Sequence, residues 1–157
     1  MCEGSRPSHH IRLTKRFFKD LEWRLSFLSD WNGHSFFYDD QWLSNPYLHL
    51  ITDACAESFG ARFGTSWLCA TFNAVGIPNR CSITYKELYA ITMTMAVWAP
   101  SLASQSLLFQ CDNQSVVRIL ISGSSKCRHI MSLVGYLFFI CAKFNVVLKP
   151  VHTKFCF

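Results

Sequence analysis

Acidic side chains are scarce in residues 51–157 of this sequence, where four Asp or Glu stand against nine Lys or Arg. Two of the four, Asp53 and Asp112, end the apolar runs "YLHLITD" and "SLLFQCD". Glu87 falls in the first turn of a predicted helix, on the side that should press on a sheet, where a charge is costly unless something compensates it. Glu57 has no comparable position and is predicted to be a solvated strand residue.

Three carboxylates that meet at one point repel one another, so at neutral pH they take up protons or bind a cation. Oxygen ligands without Cys or His select Mg²⁺ or Mn²⁺. Two such ions, about 3.5–4 Å apart, activate a water molecule and stabilise the attacking and leaving oxygens of phosphodiester cleavage. Taken singly, Asp112 is more typical of a helix cap and Asp53 of a turn. The joint pattern of Asp53, Glu87 and Asp112 favours a metal site.

The carboxylates can meet only if strands and a helix carry them to one edge of a sheet. After Pro46 the runs "YLHLITDAC", "FGARFG" and "SWLCATF" predict a three-strand antiparallel meander, with Gly64 and Thr65 in its second turn. Residues 84–99 have the apolar period of a helix, which should stop at Pro100.

The second half of the sequence is predicted to combine strands with further helices. "SLLFQC" is a fourth strand, Asn113 caps a short helix over 114–121, a longer helix covers 126–143, and "VVLKPVH" is a fifth strand. This order predicts an α/β fold with a mixed five-stranded sheet flanked by helices. Strands 105–111 and 146–152 are expected to pair in parallel with the first strand, which would bring the three carboxylates together.

Composition and charge restrict the class of protein. With 157 residues, half of them hydrophobic, the chain can bury one sizeable core rather than two. The net charge of +5 lies wholly in residues 51–157 and suits a polyanionic partner such as nucleic acid. Residues 1–10 are predicted to be disordered, and residues 47–157 are predicted to form the domain. Residues 11–46 are predicted to be a connecting segment, with an amphipathic helix over 14–30 that packs on that domain.

The cysteines and apolar segments indicate an intracellular protein. Eight cysteines occur without a Cys-x-x-Cys pair, so free, buried thiols in a reducing compartment are expected. Cys127 and His129 lack a second pair of ligands and do not predict a zinc site. No apolar signal core opens the sequence, and the longest apolar run, 130–142, is too short to span a bilayer. A soluble protein of the cytoplasm or nucleus, with no membrane partner, is therefore expected.

Three stretches together resemble a known family. "ITDACAESFGARF", "ITYKELYAI" and "FQCDNQSVVRIL" resemble the first three active-site motifs of type 1 ribonuclease H in order and spacing. The residues of these motifs and of the segments around them are similar to the ribonuclease H region of retrotransposon reverse-transcriptase polyproteins, in the DIRS-like (tyrosine-recombinase) group. The resemblance implies that Asp53, Glu87 and Asp112 bind two Mg²⁺ or Mn²⁺ ions and that His152 is catalytic. It also implies an RNA–DNA hybrid as substrate and a reverse transcriptase domain before residues 11–46 as a partner.

The end of the sequence departs from that family. Its members continue with His-x-Pro-Gly-x-x-Asn-x-x-Ala-Asp, in which the last Asp is the fourth metal ligand, whereas this sequence reads "HTKFCF". The fourth carboxylate and the closing helix are therefore expected to be missing, and cleavage is expected to be impaired. The alternative is a catalytically inactive remnant that binds nucleic acid or only packs against a partner domain.

Contacts to nucleic acid are predicted beyond the fourth strand. Arg118, Lys126 and Arg128 would hold phosphates without reading sequence. Asn113 and Gln114 are short polar residues that would contact the 2′-hydroxyls of the RNA strand. For any one of the basic residues, a solvated basic face is an equally good interpretation.

Overall fold

A computed structural model describes residues 12–29, 42–44 and 49–153 of the chain. The chain divides into two compact units, Met1–Gly33 and His34–Phe157. The predicted boundary between a connecting segment and a domain lies further along the chain and stays a prediction.

The described residues of the first unit, 12–29, form one helix. Helix α1 spans Lys15–Ser29, within the predicted range, and the Thr14 hydroxyl accepts a hydrogen bond from the Phe17 N–H at 3.3 Å. This bond satisfies one of the backbone N–H groups that the first helical turn leaves without a partner. The disorder predicted for residues 1–10 falls outside the described residues.

The second unit contains the predicted meander. Strands β1 (Leu50–Ala54), β2 (Ser58–Phe63) and β3 (Ser66–Thr71) form an antiparallel sheet in that order. Gly64 makes the turn between β2 and β3 at a φ of 58°, a left-handed conformation that glycine adopts without steric cost. The two strands therefore follow each other directly, as the sequence predicted.

The remaining elements follow in the predicted order. They are helix α2 (Ile83–Trp98), strand β4 (Ser106–Cys111), helices α3 (Gln114–Ser122) and α4 (Arg128–Lys143), and strand β5 (Val147–His152). The Ser82 side chain caps α2, which ends before Pro100, and the Asn113 side chain caps α3. The α/β class, with five strands and flanking helices, is confirmed.

Strands β4 and β5 pair in parallel, but β4 does not pair with β1. The described residues form two sheets, β1-β2-β3 and β4-β5. The other edge of β4 is bound by Leu43, whose N–H donates to the Ser106 carbonyl and whose carbonyl accepts from the Leu108 N–H, both at 2.8 Å. The predicted pairing of β1 with the fourth strand was wrong. Leu43, which precedes β1 in the sequence, forms hydrogen bonds with the backbone groups at the start of β4.

Helix α2 lies between the other elements of this unit. It packs against β1, β2 and α4, and its Leu88, Ile91 and Met95 side chains are at most 1% exposed. The buried side chains of Ala54, Phe59, Phe72, Ile77 and Ala90 form an apolar cluster. Because Ala54 ends β1 and Ala90 lies on α2, this cluster fixes the first turns of α2 beside the end of β1.

The cysteines among the described residues are free, as predicted, but only some are buried. Cys111 and Cys141 are buried, whereas Cys55, Cys69 and Cys127 are exposed. Cys69 lies on the outward face of β3, so strand alternation rather than the apolar composition around it sets its exposure. No helix in the described ranges is long and apolar enough to cross a membrane.

Gly64 and Gly135 should respond oppositely to alanine. Gly64→Ala puts a Cβ on a residue with a φ of 58° and should lower the free energy of unfolding by about 1 kcal/mol. Gly135 lies in α4, where a Cβ would meet no atom within 4 Å, so Gly135→Ala should raise it by about 0.5–1 kcal/mol. Urea unfolding of the full chain measures both changes, and a loss of stability at Gly135 would contradict the open helix face.

Candidate functional site

A recess lies where β1 and β4 end and α2 begins. It is lined by Thr52, Asp53, Ala54, Glu87, Ala90, Ile91, Cys111 and Asp112. Its free volume of about 10 Å³ is close to that needed by one water molecule. The ends of two strands and the start of α2 thus carry all three predicted carboxylates to one small site, with Glu87 in the second turn of α2 and not in the predicted first turn.

Glu87 is the half-buried carboxylate of this recess. The Asn113 Nδ2 donates to Glu87 Oε1 at 3.2 Å, and the Cys111 Sγ lies 3.9 Å from Glu87 Oε2. Burial raises the pKa of Glu87 above its ordinary value; the hydrogen bond from Asn113 opposes this, and the charges of Asp112 and Asp53 add to it. The surroundings of Glu87 therefore favour the uptake of a proton or a cation.

Glu87, Cys111 and Asp112 form the compact part of the site, with their possible ligand atoms within 4.8 Å of one another. Asp53 lines the same recess without belonging to this group, and its Oδ1 accepts from the Ala54 N–H at 2.8 Å. Asp53 is exposed, and strand alternation places it on the opposite face of β1 from the buried Leu50 and Ala54. The structure thus brings Glu87 and Asp112 together and leaves Asp53 beside them.

Cys111 lies next to the carboxylates, and the sequence pattern did not predict it as part of the site. Burial raises the pKa of the Cys111 thiol to about 11, so it keeps its proton at neutral pH and is no ligand for a hard cation. Its Sγ has two acceptors within reach, the Glu87 carboxylate and, at 3.7 Å, the Asn113 carbonyl. Alternation along β4, in which Leu107 and Phe109 also face inward, is the signal that could have placed it.

His152 ends β5 and lies opposite Cys111 in the register of the parallel pair. Its Nε2 lies 3.0 Å from the backbone oxygen of Asp112. Because a carbonyl oxygen only accepts, Nε2 carries the proton of the neutral ring and Nδ1 is its acceptor. The His152 ring is exposed to solvent. Its contact with the Asp112 backbone holds it beside the end of β4 that carries the acid.

The predicted nucleic-acid residues differ in exposure. Gln114 and Arg118 on α3, Lys126 between the helices and Arg128 at the start of α4 are exposed. Asn113 is half-buried, and its amide is bound to the N-terminus of α3 and to Glu87. The four exposed residues stay predicted substrate contacts, whereas the Asn113 amide has partners inside the protein.

The donor set fits a hard divalent cation. Asp53, Glu87 and Asp112 offer carboxylate oxygens, the ligands that Mg²⁺ and Mn²⁺ prefer. The like charges that raise the pKa of Glu87 are those that a bound cation would neutralise.

Glu87→Gln should stabilise the metal-free protein at neutral pH. A carboxyl whose pKa is higher in the folded than in the unfolded chain costs stability when ionised, and this cost fades as the pH falls through its folded pKa toward 4.5. Urea unfolding in a chelator at pH 7.5 and at pH 4 should show the gain at the higher pH alone. The exposed Glu57→Gln serves as the control, and an equal gain at both pH values would contradict this origin.

The chain is similar in fold to a solved ribonuclease H. The chain matches the crystal structure of RNase H1 from the halophilic archaeon Halobacterium salinarum NRC-1 with a TM-score of 0.50 and 10% sequence identity, over 66% of this chain and 81% of that one. No protein-family model and no curated protein matches the sequence. Similarity at this identity shows the fold alone, so the ribonuclease H-like fold is confirmed and the chemistry has to be argued from the site.

Proposed function

We propose that this chain is a metal-dependent nuclease that hydrolyses the RNA strand of an RNA–DNA hybrid. The observation that carries the proposal is the recess at the strand ends of a ribonuclease H-like fold, which Asp53, Glu87 and Asp112 line together. These residues would hold Mg²⁺ or Mn²⁺, which supplies an activated water and stabilises charge on the phosphate.

The residues of the chain contribute positioning and proton transfer. Glu87 is held in place by the Asn113 amide, and His152 is held beside Asp112 by its Nε2. Because the His152 ring is exposed and its Nδ1 is an acceptor, we assign to it the exchange of a proton between the site and solvent.

Substrate binding is assigned to the exposed basic residues that follow the site. Arg118, Lys126 and Arg128 lie on α3, on the connection to α4 and at the first residue of α4. Contacts from Lys and Arg to phosphates give affinity without sequence preference, which suits an enzyme that recognises any hybrid. Gln114 remains the candidate for a contact to the 2′-hydroxyl groups.

The origin of the chain is proposed from its motifs. The resemblance of the motifs "ITDACAESFGARF" and "FQCDNQSVVRIL" supports derivation from a retrotransposon polyprotein of the DIRS-like group. A reverse transcriptase domain of such a polyprotein is the proposed protein partner, and an intracellular location follows from that origin.

Cleavage of a labelled hybrid tests the proposed function. The full chain is incubated with an RNA–DNA hybrid, a DNA duplex and an RNA duplex of one sequence, with Mg²⁺, Mn²⁺ or a chelator. We expect slow cuts, in line with the impaired cleavage predicted above, in the RNA strand of the hybrid alone and only with a divalent ion. Cuts that persist in the chelator, or that occur equally in all three duplexes, would overturn the proposal.

A second candidate is hybrid binding without cleavage. It is favoured by the position of Asp53, whose carboxylate stays outside the compact group of Glu87, Cys111 and Asp112. Fluorescence anisotropy with the same hybrid separates the two candidates. Binding without cleavage in either metal would support this second function, and binding that weakens strongly with salt would show that phosphates supply most of the affinity.

A further inference from the structure

The side-chain amide of Asn113 joins two parts of the molecule. Its Oδ1 accepts from the backbone N–H groups of Ser115 at 2.9 Å and Val116 at 3.3 Å, which caps α3. Its Nδ2 donates to Glu87 Oε1 at 3.2 Å. Glu87 belongs to α2, so one amide connects the second turn of α2 to the start of α3.

The orientation of this amide follows from its partners. The N–H groups of Ser115 and Val116 only donate, and the ionised carboxylate of Glu87 only accepts. If the amide were turned over, its NH₂ would face two donors and its oxygen would face a carboxylate. The assignment of Nδ2 to Glu87 therefore rests on the backbone of α3.

Glu87 has few other groups that could fix its carboxylate. It is a long side chain with several rotatable bonds, and its second oxygen faces the Cys111 thiol at 3.9 Å, near the limit for a sulfur hydrogen bond. The contact from Asn113 is the shorter of the two and comes from a side chain that the helix cap already holds still.

We propose that Asn113 is a positioning residue of the metal site, which fixes the Glu87 carboxylate against the N-terminus of α3. This inference rests on the proposed function, because it assigns to Glu87 the role of a metal ligand. It also replaces the role predicted for Asn113 in contacting the 2′-hydroxyl groups. Groups that orient a ligand carboxylate typically change metal affinity by roughly ten- to a hundredfold when they are removed.

Two substitutions separate positioning from capping. Serine is as good a helix cap as asparagine but cannot reach Glu87 with a donor amide, whereas alanine provides neither contact. We expect Asn113→Ser to stay closer to the wild type in urea unfolding than Asn113→Ala, because it keeps the cap and loses only the Glu87 contact, and to bind Mn²⁺ roughly tenfold more weakly, read from the electron paramagnetic resonance signal of free Mn²⁺. Asn113→Ala should lose both stability and affinity. Wild-type affinity in Asn113→Ser would overturn the inference.

A metal-free measurement keeps this inference distinct from the proposed function. If the wild type binds no Mn²⁺, the proposed function fails, and the contact is then tested by a double-mutant cycle of urea unfolding with Asn113→Ser and Glu87→Ala in a chelator. Effects that are not additive would support the contact between the two side chains. Additive effects would show that Asn113 acts only as a cap and would overturn the inference.

Discussion

Asp112→Asn is expected to lower the rate of hybrid cleavage by roughly a thousandfold or more, as the loss of one member of a catalytic group does. The amide keeps the shape of the side chain but loses the charge that would hold the metal within the group of Glu87, Cys111 and Asp112. The fold should survive, because His152 contacts the backbone oxygen of Asp112 and not its side chain. Single-turnover cleavage of the labelled hybrid measures the rate.

The matched control for this substitution is Glu57→Gln. Glu57 is an exposed acid, it does not line the recess, and its backbone carbonyl is the group that accepts from the Phe72 N–H. Glu57→Gln should cleave the hybrid at the wild-type rate. Thermal unfolding in a chelator should show Asp112→Asn at least as stable as the wild type, because one of the mutually repelling charges around Glu87 is gone. Undiminished cleavage by Asp112→Asn would show that this acid is no metal ligand.

Phe72→Ala is expected to lower the free energy of unfolding by about 3–5 kcal/mol, the usual cost of emptying a buried aromatic site. The Phe72 ring is fully buried and lies 5.4 Å from the ring of Phe59 and 6.3 Å from that of Tyr89. The ammonium of Lys86, itself 3% exposed, lies 5.1 Å from the centre of the ring and is bonded to the carbonyls of Ala56 and Asn79. Urea unfolding of the full chain measures the loss.

Trp67→Ala is the control for Phe72→Ala. Trp67 is larger but 73% exposed, so its removal should change stability by less than about 0.5 kcal/mol. Lys86→Met tests the ring contact, since it should cost less in the Phe72→Ala background than in the wild type. Equal effects of Phe72→Ala and Trp67→Ala would contradict the position of Phe72 in the core.

The elements of the second unit were predictable because local patterns specify them. The apolar runs that end at Asp53 and Asp112 indicated two strands, the period around Glu87 indicated α2, and Gly64 marked a turn that needs positive φ. The sequence also predicted that these acids converge where strands end and a helix begins, and the structure has Asp53, Glu87 and Asp112 line one recess, with only Glu87 and Asp112 in its compact group. The mixed α/β class follows in turn from the order of these strand and helix patterns along the chain.

Sequence alone determined which segments are strands and helices and which acids stand at their ends. Tertiary structure alone decided that Leu43, and not β1, occupies the edge of β4, and that Cys111 and Asn113 surround Glu87. The physical reason is that the apolar periodicity of a helix or strand arises within one segment of the sequence. A hydrogen bond at a strand edge, or a contact between side chains, depends instead on which of several segments distant in sequence lies beside that edge or side chain in the folded chain. The position of Asp53 beside, and not within, the compact group was likewise decided by the tertiary structure.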